Sequence, residues 1–322
     1  MSQSNSGKAS LSHEERTSTE PRHEGLHCVT IDKIVPVNDR IRNYTLRIPE
    51  PSGIPFVAGQ WLDVHVPGIP QAGGFTITSA PRQALPRPEA QDEKEESTPS
   101  LELAIQQSPG NPPAAWLWQE DGQILGKELR VRVGGSFVYP PPRIDMQTIG
   151  RVVFIAGGVG INPLISMLSH ICQDGRSGSK PAVTFLYSTK VPSAQFEAKD
   201  ILFLPRIISQ LSSRPRSSLS LFLTGTWDGS HLPHSEQCEE VLSAALAQEK
   251  MESKVTQNTR TLSAKSERLT NEDLVKAVGS ETDRGSTLFY VCGPPDMTDN
   301  IVENLRGFDG VHADRVMCEK WW

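Results

Sequence analysis

The chain has 322 residues and a formal charge of −6, from 32 Lys and Arg against 38 Asp and Glu. At about 150 residues per domain this length predicts two domains, and the lack of a basic excess argues against a general nucleic-acid binder. No apolar run approaches the roughly 20 residues that span a bilayer. We therefore expect no membrane span. The five cysteines form no C-x-x-C pair, so we expect neither a metal site nor a disulfide framework.

Residues 1–25 form a polar segment without the apolar stretch of a secretory signal. They mix Glu with Lys and Arg, whereas a mitochondrial presequence is poor in acids. We therefore expect a disordered tail and an intracellular protein.

Residues 26–145 contain six short segments that are rich in β-branched residues and bounded by Pro or Gly. Apolar and polar residues alternate in several of them, as in Leu62-Val64-Val66. This pattern predicts an antiparallel β-barrel domain. Residues 82–100 interrupt it with Pro and acidic residues, which predicts a flexible surface insertion.

Residues 146–322 alternate apolar strands with helical patterns, which predicts a doubly wound, mostly parallel sheet. Ligands bind such sheets at the carboxyl ends of the strands. We expect residues 250–267 to be loose, and the segment from Asp314 to Trp322 to add a last strand.

A glycine-rich loop follows the first strand of this second half. It comprises Gly157, Gly158, Val159, Gly160, Ile161, Asn162 and Pro163. We expect Asn162 to cap the following helix and Pro163 to occupy its first position. Free amides at such a helix start favour a pyrophosphate, although glycine is also used in these turns for packing alone.

A second loop, residues 291–297, again lies between an apolar strand and a helix. It contains Cys292, Gly293 and Pro294. By itself a cysteine such as Cys292 is more often a small buried apolar residue than a catalytic group.

The order of these motifs resembles the ferredoxin–NAD(P)H reductase superfamily: a barrel, then IAGGVGINPLISML, then FYVCGPPDM, then a terminal E-K-W-W. The resemblance covers residues 26–322. It implies a flavin (FAD) on the barrel and NAD on the α/β domain, with hydride transfer between the two bound rings. It also suggests a mitochondrial location, with the cytoplasm as the alternative.

The resemblance implies roles for individual residues. The loop from Gly157 to Asn162 would meet the pyrophosphate, and Cys292, Gly293 and Pro294 would place the nicotinamide against the flavin. Phe75 would contact the flavin, and Trp321 would cover its face. The candidate catalytic residues are Cys292, Thr76 and Glu319.

Two departures from the family pattern concern the flavin phosphate. Gly73 stands where the family has an Arg, and Ala114 where it has a hydroxyl. Each lost charge-assisted contact weakens binding by roughly 1.5–3 kcal/mol. FAD is then held weakly, held by other groups such as Arg132, or not held.

The sequence leaves two main functional hypotheses and, ranked last, a nucleotide-free relic of the fold. The first is an NAD(H)-dependent flavin oxidoreductase that passes electrons to a separate acceptor. The second is an NAD(H)-binding module without redox turnover. We expect NAD rather than NADP, because the stretch from Tyr187 to Lys190 has no nearby Arg for a 2′-phosphate.

Overall fold

The computed structural model describes residues 12–86, 98–173, 181–212, 214, 216–252 and 261–320. Its first half is an antiparallel sheet with three short helices, and its second half is a parallel sheet with six further helices, counted over these ranges. No helix within them is both long and apolar enough to cross a bilayer.

The antiparallel sheet has six strands in the spatial order β4-β3-β6-β1-β2-β5. Its elements are α1 (His13–Arg16), β1 (His27–Asn38), β2 (Ile41–Arg47), β3 (Trp61–His65), β4 (Gly73–Thr76), β5 (Ser100–Gln106), α2 (Pro112–Leu117), α3 (Asp121–Ile124) and β6 (Glu128–Gly134). The two edges approach each other just after β4, where Ile77 bridges Leu103 and the Thr78 N–H donates to the Glu102 carbonyl at 2.8 Å. The predicted antiparallel, barrel-type first half is confirmed.

The alternation along β3 explains how this half is packed. Leu62 and Val64 are fully buried in the barrel core, together with Ala114 and Leu117 from α2. Trp61 and Asp63 lie on the opposite face of the strand, because successive side chains point to opposite sides of a sheet.

The expectation of a disordered tail over residues 1–25 is wrong for residues 12–25, and residues 1–11 lie outside the described ranges. Asp63, with no exposed surface, accepts from Arg22 at 2.9 Å and Arg132 at 2.8 Å, and lies 3.0 Å from His13 Nε2. Burial alone would raise the pKa of Asp63, but the hydrogen bonds from these three partners hold it well below its usual range. Ion pairs to Asp63, together with main-chain hydrogen bonds such as that from His23 to Val133, hold this polar segment. Hydropathy therefore gave no sign of it.

The parallel sheet has six strands in the order β10-β9-β8-β7-β11-β12. Its elements are β7 (Arg151–Gly157), α4 (Ile161–Gln173), β8 (Ala182–Val191), α5 (Leu204–Ser212), β9 (Ser218–Thr226), α6 (Ser235–Glu252), β10 (Thr261–Lys265), α7 (Asn271–Val278), α8 (Glu281–Arg284), β11 (Thr287–Gly293), α9 (Pro295–Arg306) and β12 (Val316–Lys320). This confirms the doubly wound α/β prediction and the last strand.

Two segments expected to be loose are partly ordered. Strand β10 lies within residues 250–267 and pairs in parallel with β9. In the predicted insertion, residues 81–84 form a 3-10 turn and Ser100 opens β5, while residues 87–97 lie outside the described ranges. Strand β10 is short and polar, so it lacks the apolar run from which the other strands were predicted.

Helix α4 joins the two halves. The Asn162 amide donates to the Ala104 carbonyl of β5 at 2.9 Å, and the Ser166 hydroxyl donates to the Ser79 carbonyl at 2.7 Å. Both side chains are buried. The loop that carries the glycines is therefore fixed relative to the barrel as well as to its own sheet.

Candidate functional site

The two loops predicted from sequence meet at the carboxyl edge of the parallel sheet. Strands β7 and β11 are neighbours in register, with Ala156 opposite Cys292. The chain runs from β7 to β8 on one side and returns to β11 on the other, so the loops flank the point where the strand order reverses. Such a crevice is the usual ligand site of an open α/β sheet.

Two of the three loop glycines are required by packing. A Cβ on Gly160 would lie 2.2 Å from the Cys292 carbonyl oxygen, and one on Gly157 would lie 2.5 Å from Met297 Sδ. Only glycine lets the two loops approach this closely. The packing interpretation, left open by the sequence, therefore holds for Gly157 and Gly160.

Gly158 has a different environment. Its φ is +54°, a conformation that favours glycine, and no atom lies within 4 Å of a Cβ added there. Residues 158–160 form a 3-10 turn that leads directly into α4. Gly158 thus opens the side of the loop that a ligand can approach.

The expected cap of α4 is wrong. The helix begins at Ile161, so Asn162 and Pro163 are its second and third residues. The Asn162 amide is directed to the barrel instead of capping the helix, and its Oδ1 is buried without a hydrogen-bond partner among the described residues. The amides at the start of the turn therefore lack a capping side chain, which suits an anion.

A second helix start lies beside the first. Pro294 is the N-cap of α9 and supplies no side-chain hydrogen bond, and its Cδ would lie 2.8 Å from a Cβ on Gly157. Gly293 lies close to Gly157 as well, with its Cα 3.3 Å from that Cβ position. The first-turn amides of a helix have no intrahelical acceptor, so the starts of α4 and α9 both favour negative charge at this edge.

Cys292 and Glu319 are adjacent across β11 and β12, where they form a register pair. Cys292 is fully buried in the apolar cluster between the sheet and α4. Glu319 Oε2 is also buried and has no hydrogen-bond partner among the described residues. Burial, and then the charge of Glu20, raise the pKa of Glu319 to about 8, so this carboxyl is mostly protonated at neutral pH.

The barrel candidates lie on β4. Phe75 is buried in the barrel core, and Thr76 pairs with Trp61 of β3. The Thr76 hydroxyl is buried and has no partner within the described ranges. Trp321, the predicted aromatic cover, lies outside them.

The positions that would hold a flavin phosphate do not fit one. A Cβ on Gly73 would lie 2.5 Å from the Phe75 ring and 2.7 Å from Pro113 Cβ, so the place of the family's Arg side chain is filled. Helix α2 begins with Pro112 and Pro113, which have no N–H, and Asn111 Oδ1 accepts from the Ala114 N–H at 3.3 Å.

Arg132 does not replace these contacts, because it is bound to Asp63. Among the described residues, Gly73, Arg132 and the start of α2 therefore do not supply the anion contacts that the family resemblance implied for FAD.

One further cavity, of about 400 Å³, was missed by the sequence analysis. It lies at the carboxyl ends of β8 and β9, against the starts of α7 and α9. Met297 lines it and also lies against Gly157, so the cavity adjoins the glycine loop. Its lining includes Lys190 and Arg268, which lie far apart in sequence. In the described ranges we find no group of three or more His, Cys, Asp or Glu side chains placed to hold a metal ion.

The fold and this site define a class of protein. Residues 150–305 match the family model of the ferric reductase NAD binding domain. Together with the antiparallel and parallel sheets, this match supports an NAD-binding oxidoreductase of the ferredoxin-reductase type.

Individual relatives agree with this class. The chain is similar to oxidoreductase NAD-binding domain-containing protein 1 of Bos taurus, with 28% identity over 317 residues that cover 96% of this chain and 85% of that protein. It is 27% identical over 294 residues to the reductase component of propane 2-monooxygenase from Rhodococcus jostii (strain RHA1), covering 90% of this chain and 62% of that protein.

Among solved structures, the FAD/NAD binding domain of nitric oxide dioxygenase from Vibrio cholerae O1 biovar El Tor has a similar fold. The TM-score is 0.58 at 14% identity, and the match covers 92% of this chain and 98% of that one.

Proposed function

We propose that the chain binds a nicotinamide dinucleotide across its two loops and transfers a hydride from NADH or NADPH to an acceptor. The observation that carries this proposal is the contact between the loops. Gly157 and Gly160 bring the Cys292–Pro294 segment against the start of α4, while Gly158 leaves the approach to that start open.

The pyrophosphate lies against the turn at Gly158 and the start of α9. There, amides without capping side chains and two helix dipoles stabilise its charge. Such a site needs no cationic side chain, because main-chain N–H groups donate the hydrogen bonds. The glycine loop thus contributes main-chain hydrogen bonds to the affinity for the dinucleotide.

The nicotinamide end lies toward Cys292 and Glu319. Hydride transfer needs no side-chain base, so the protein contributes the distance and orientation of the ring. Cys292 supports the loop from within the core, and Glu319, protonated at neutral pH, can donate a hydrogen bond there.

The acceptor is supplied from outside the chain. Relatives with this fold include a domain named for FAD, but Gly73, Pro112 and Pro113 remove the phosphate contacts from this chain. Two electrons and one proton leave NADH as a hydride, and NAD⁺ is released. A quinone-like molecule or a separate redox protein that accepts the hydride equivalent fits this arrangement.

The experiment is a titration of the purified full chain with NADH, followed by an assay of NADH oxidation. The assay has three arms: an artificial quinone, added FAD and no acceptor. We expect NADH to bind the purified chain, and we expect NADH to be oxidised in the arm that contains the quinone. A folded chain that binds neither NADH nor NADPH contradicts the proposal.

The prolines of α2 favour a second candidate, a dinucleotide-binding module without turnover. Such a module would be stabilised by NADH in a melting experiment. A ligand present at 100 times its Kd raises the free energy of unfolding by about 2.7 kcal/mol. NADH binding with no oxidation in any arm of the assay would select this candidate.

A further inference from the structure

A cavity of about 310 Å³ adjoins the candidate site at Glu319. Three segments enclose it: the N-terminal segment at Glu20, the connection between β6 and β7, and the end of β12. Glu319 lines the cavity and pairs in register with Cys292, and neighbouring strands of a sheet lie about 4.8 Å apart. The cavity therefore begins one strand away from the loop that would meet the nicotinamide.

The walls of this cavity are largely apolar and are held in place. The apolar lining consists of Phe137, Val138, Pro141, Pro142, Ile144 and Met317. The Tyr290 hydroxyl donates to the Val138 carbonyl at 2.8 Å, and the Phe137 and Tyr290 rings pack edge to face with centroids 5.4 Å apart. Since Tyr290 belongs to β11, the connection is fixed to the strand that carries Cys292. Pre-formed apolar walls with few polar groups are typical of small-molecule sites, whose volumes begin at about 300 Å³.

One polar group of the cavity has no partner in the described part of the chain. Glu319 Oε2 is buried and forms no hydrogen bond there. Burial, and then the charge of Glu20, raise the pKa of this carboxyl to about 8, so it keeps a proton at neutral pH. A protonated carboxyl has one O–H donor, and buried polar groups of folded proteins are nearly always paired. The cavity therefore offers a hydrogen bond to a ligand that carries an acceptor oxygen.

The other ionisable groups of the lining determine which ligand charge is favoured. Glu20 accepts from the Ser136 hydroxyl at 2.6 Å, and Asp314 adds a second acid. Arg143 is the cation among the described lining residues. With Glu319 protonated the lining has a net negative charge, so an anionic ligand is disfavoured and a neutral ligand is not.

We propose that this cavity binds the electron acceptor, and that the acceptor is a small neutral quinone whose carbonyl oxygen accepts a hydrogen bond from Glu319. The inference rests on the proposed function and narrows the acceptor to a compact uncharged ring system, because a redox protein cannot enter a cavity of this volume. NADH gives up a hydride, and the quinone takes up that hydride and one proton from water. The products are NAD⁺ and a hydroquinone.

The test uses two quinones that differ in charge. Duroquinone is neutral, and its analogue carries a propionate chain in place of one methyl group. Both rings are fully substituted, so neither adds to an exposed thiol such as that of Cys318. In calorimetry of the full chain we expect duroquinone to bind about tenfold more tightly, because the propionate would lie near Glu20 and Asp314.

Variants of the full chain locate this binding to the cavity. Met317→Trp fills the cavity and should abolish duroquinone binding, while NADH binding is retained. Met146→Trp is the matched control and should leave both unchanged, because Met146 is half-buried against the same apolar cluster but does not line the cavity. Glu319→Leu should weaken duroquinone binding about fivefold, the loss expected from one hydrogen bond, whereas Glu319→Gln retains a donor and should bind duroquinone as the wild type does.

Any one of three results overturns the acceptor cavity: no binding of duroquinone, equal or tighter binding of the propionate analogue, or undiminished duroquinone binding by Met317→Trp. In each case NADH binding by the same preparation leaves the proposed dinucleotide site intact. If NADH does not bind either, the proposed function fails as well.

Discussion

Gly158 and Gly160 lie two residues apart, but substitution of Gly160 should mainly lower stability, whereas substitution of Gly158 should mainly lower coenzyme affinity. At Gly160 a Cβ would lie 2.2 Å from the Cys292 carbonyl oxygen, and real Cβ atoms essentially never approach within 3.0 Å. The two loops would therefore have to separate by almost an ångström. Overpacking of this kind costs about 1–3 kcal/mol, and here both contacting groups belong to the main chain, so the upper end applies.

At Gly158 the added side chain enters open space, and the cost comes only from the positive φ of +54°. This conformation costs a non-glycine residue about 1–2 kcal/mol. A Val at this position would instead obstruct the amides that face the pyrophosphate. The loss of one hydrogen bond to a charged group lowers affinity about tenfold or more.

The assay combines thermal unfolding with an NADH titration of Gly158→Val and Gly160→Ala. The control is Gly126→Val, because Gly126 has a φ of +77° and also has no atom within 4 Å of an added Cβ. We expect Gly160→Ala to lower Tm most and Gly158→Val to lower affinity most, whereas Gly126→Val should change only Tm. Unchanged NADH affinity in folded Gly158→Val would refute the reasoning.

Two further predictions concern buried carboxyls. Asp63→Asn leaves Arg22 and Arg132 without their partner and should destabilise the chain by about 3–5 kcal/mol in denaturant unfolding. Asp32 and Arg47 form an exposed ion pair of 3.7 Å, and Asp32→Asn should lower the free energy of unfolding by less than about 1 kcal/mol. Equal losses of stability in the two variants would contradict the ion-pair account. The pKa of Glu319 rises from 4.5 to about 8 on folding, so the folded chain binds more protons between these values and its stability falls as pH rises through about 8. Glu319→Gln should match the wild-type Tm at pH 5 and exceed it at pH 9, where the wild-type carboxyl must ionise in a buried environment; parallel Tm profiles would show that the carboxyl titrates normally.

Local patterns were sufficient to predict the sheets and the two loops. The apolar run of β7 reflects burial on two faces, and the alternation in β3 reflects one apolar face, with Leu62 and Val64 in the barrel core. Both patterns can be read from consecutive residues, although Trp61 and Asp63 on the other face of β3 are buried as well. The ion pairs of Asp63 could not be predicted in this way, because they join residues 41 and 69 positions apart through charges that hydropathy scores as exposed.

The same limit explains the errors at the site. Asn162 has the composition of a cap, but tertiary contact with Ala104 redirected its side chain. Lys190 and Arg268 lie far apart in sequence and line one cavity only because β10 returns beside β9. Composition and spacing find the two loops of the candidate site, whereas the cavity beside them depends on which distant segments the topology brings together.

The two hydrogen bonds from α4 to the barrel have a consequence for how the halves can be studied. A fragment that starts at residue 146 would leave the buried amide of Asn162 and hydroxyl of Ser166 without their acceptors. It would also uncover apolar residues of α4 that now share one cluster with Ala104 and Phe137. Coenzyme affinity measured on such a fragment would therefore describe a helix that has lost both of these hydrogen bonds to the barrel.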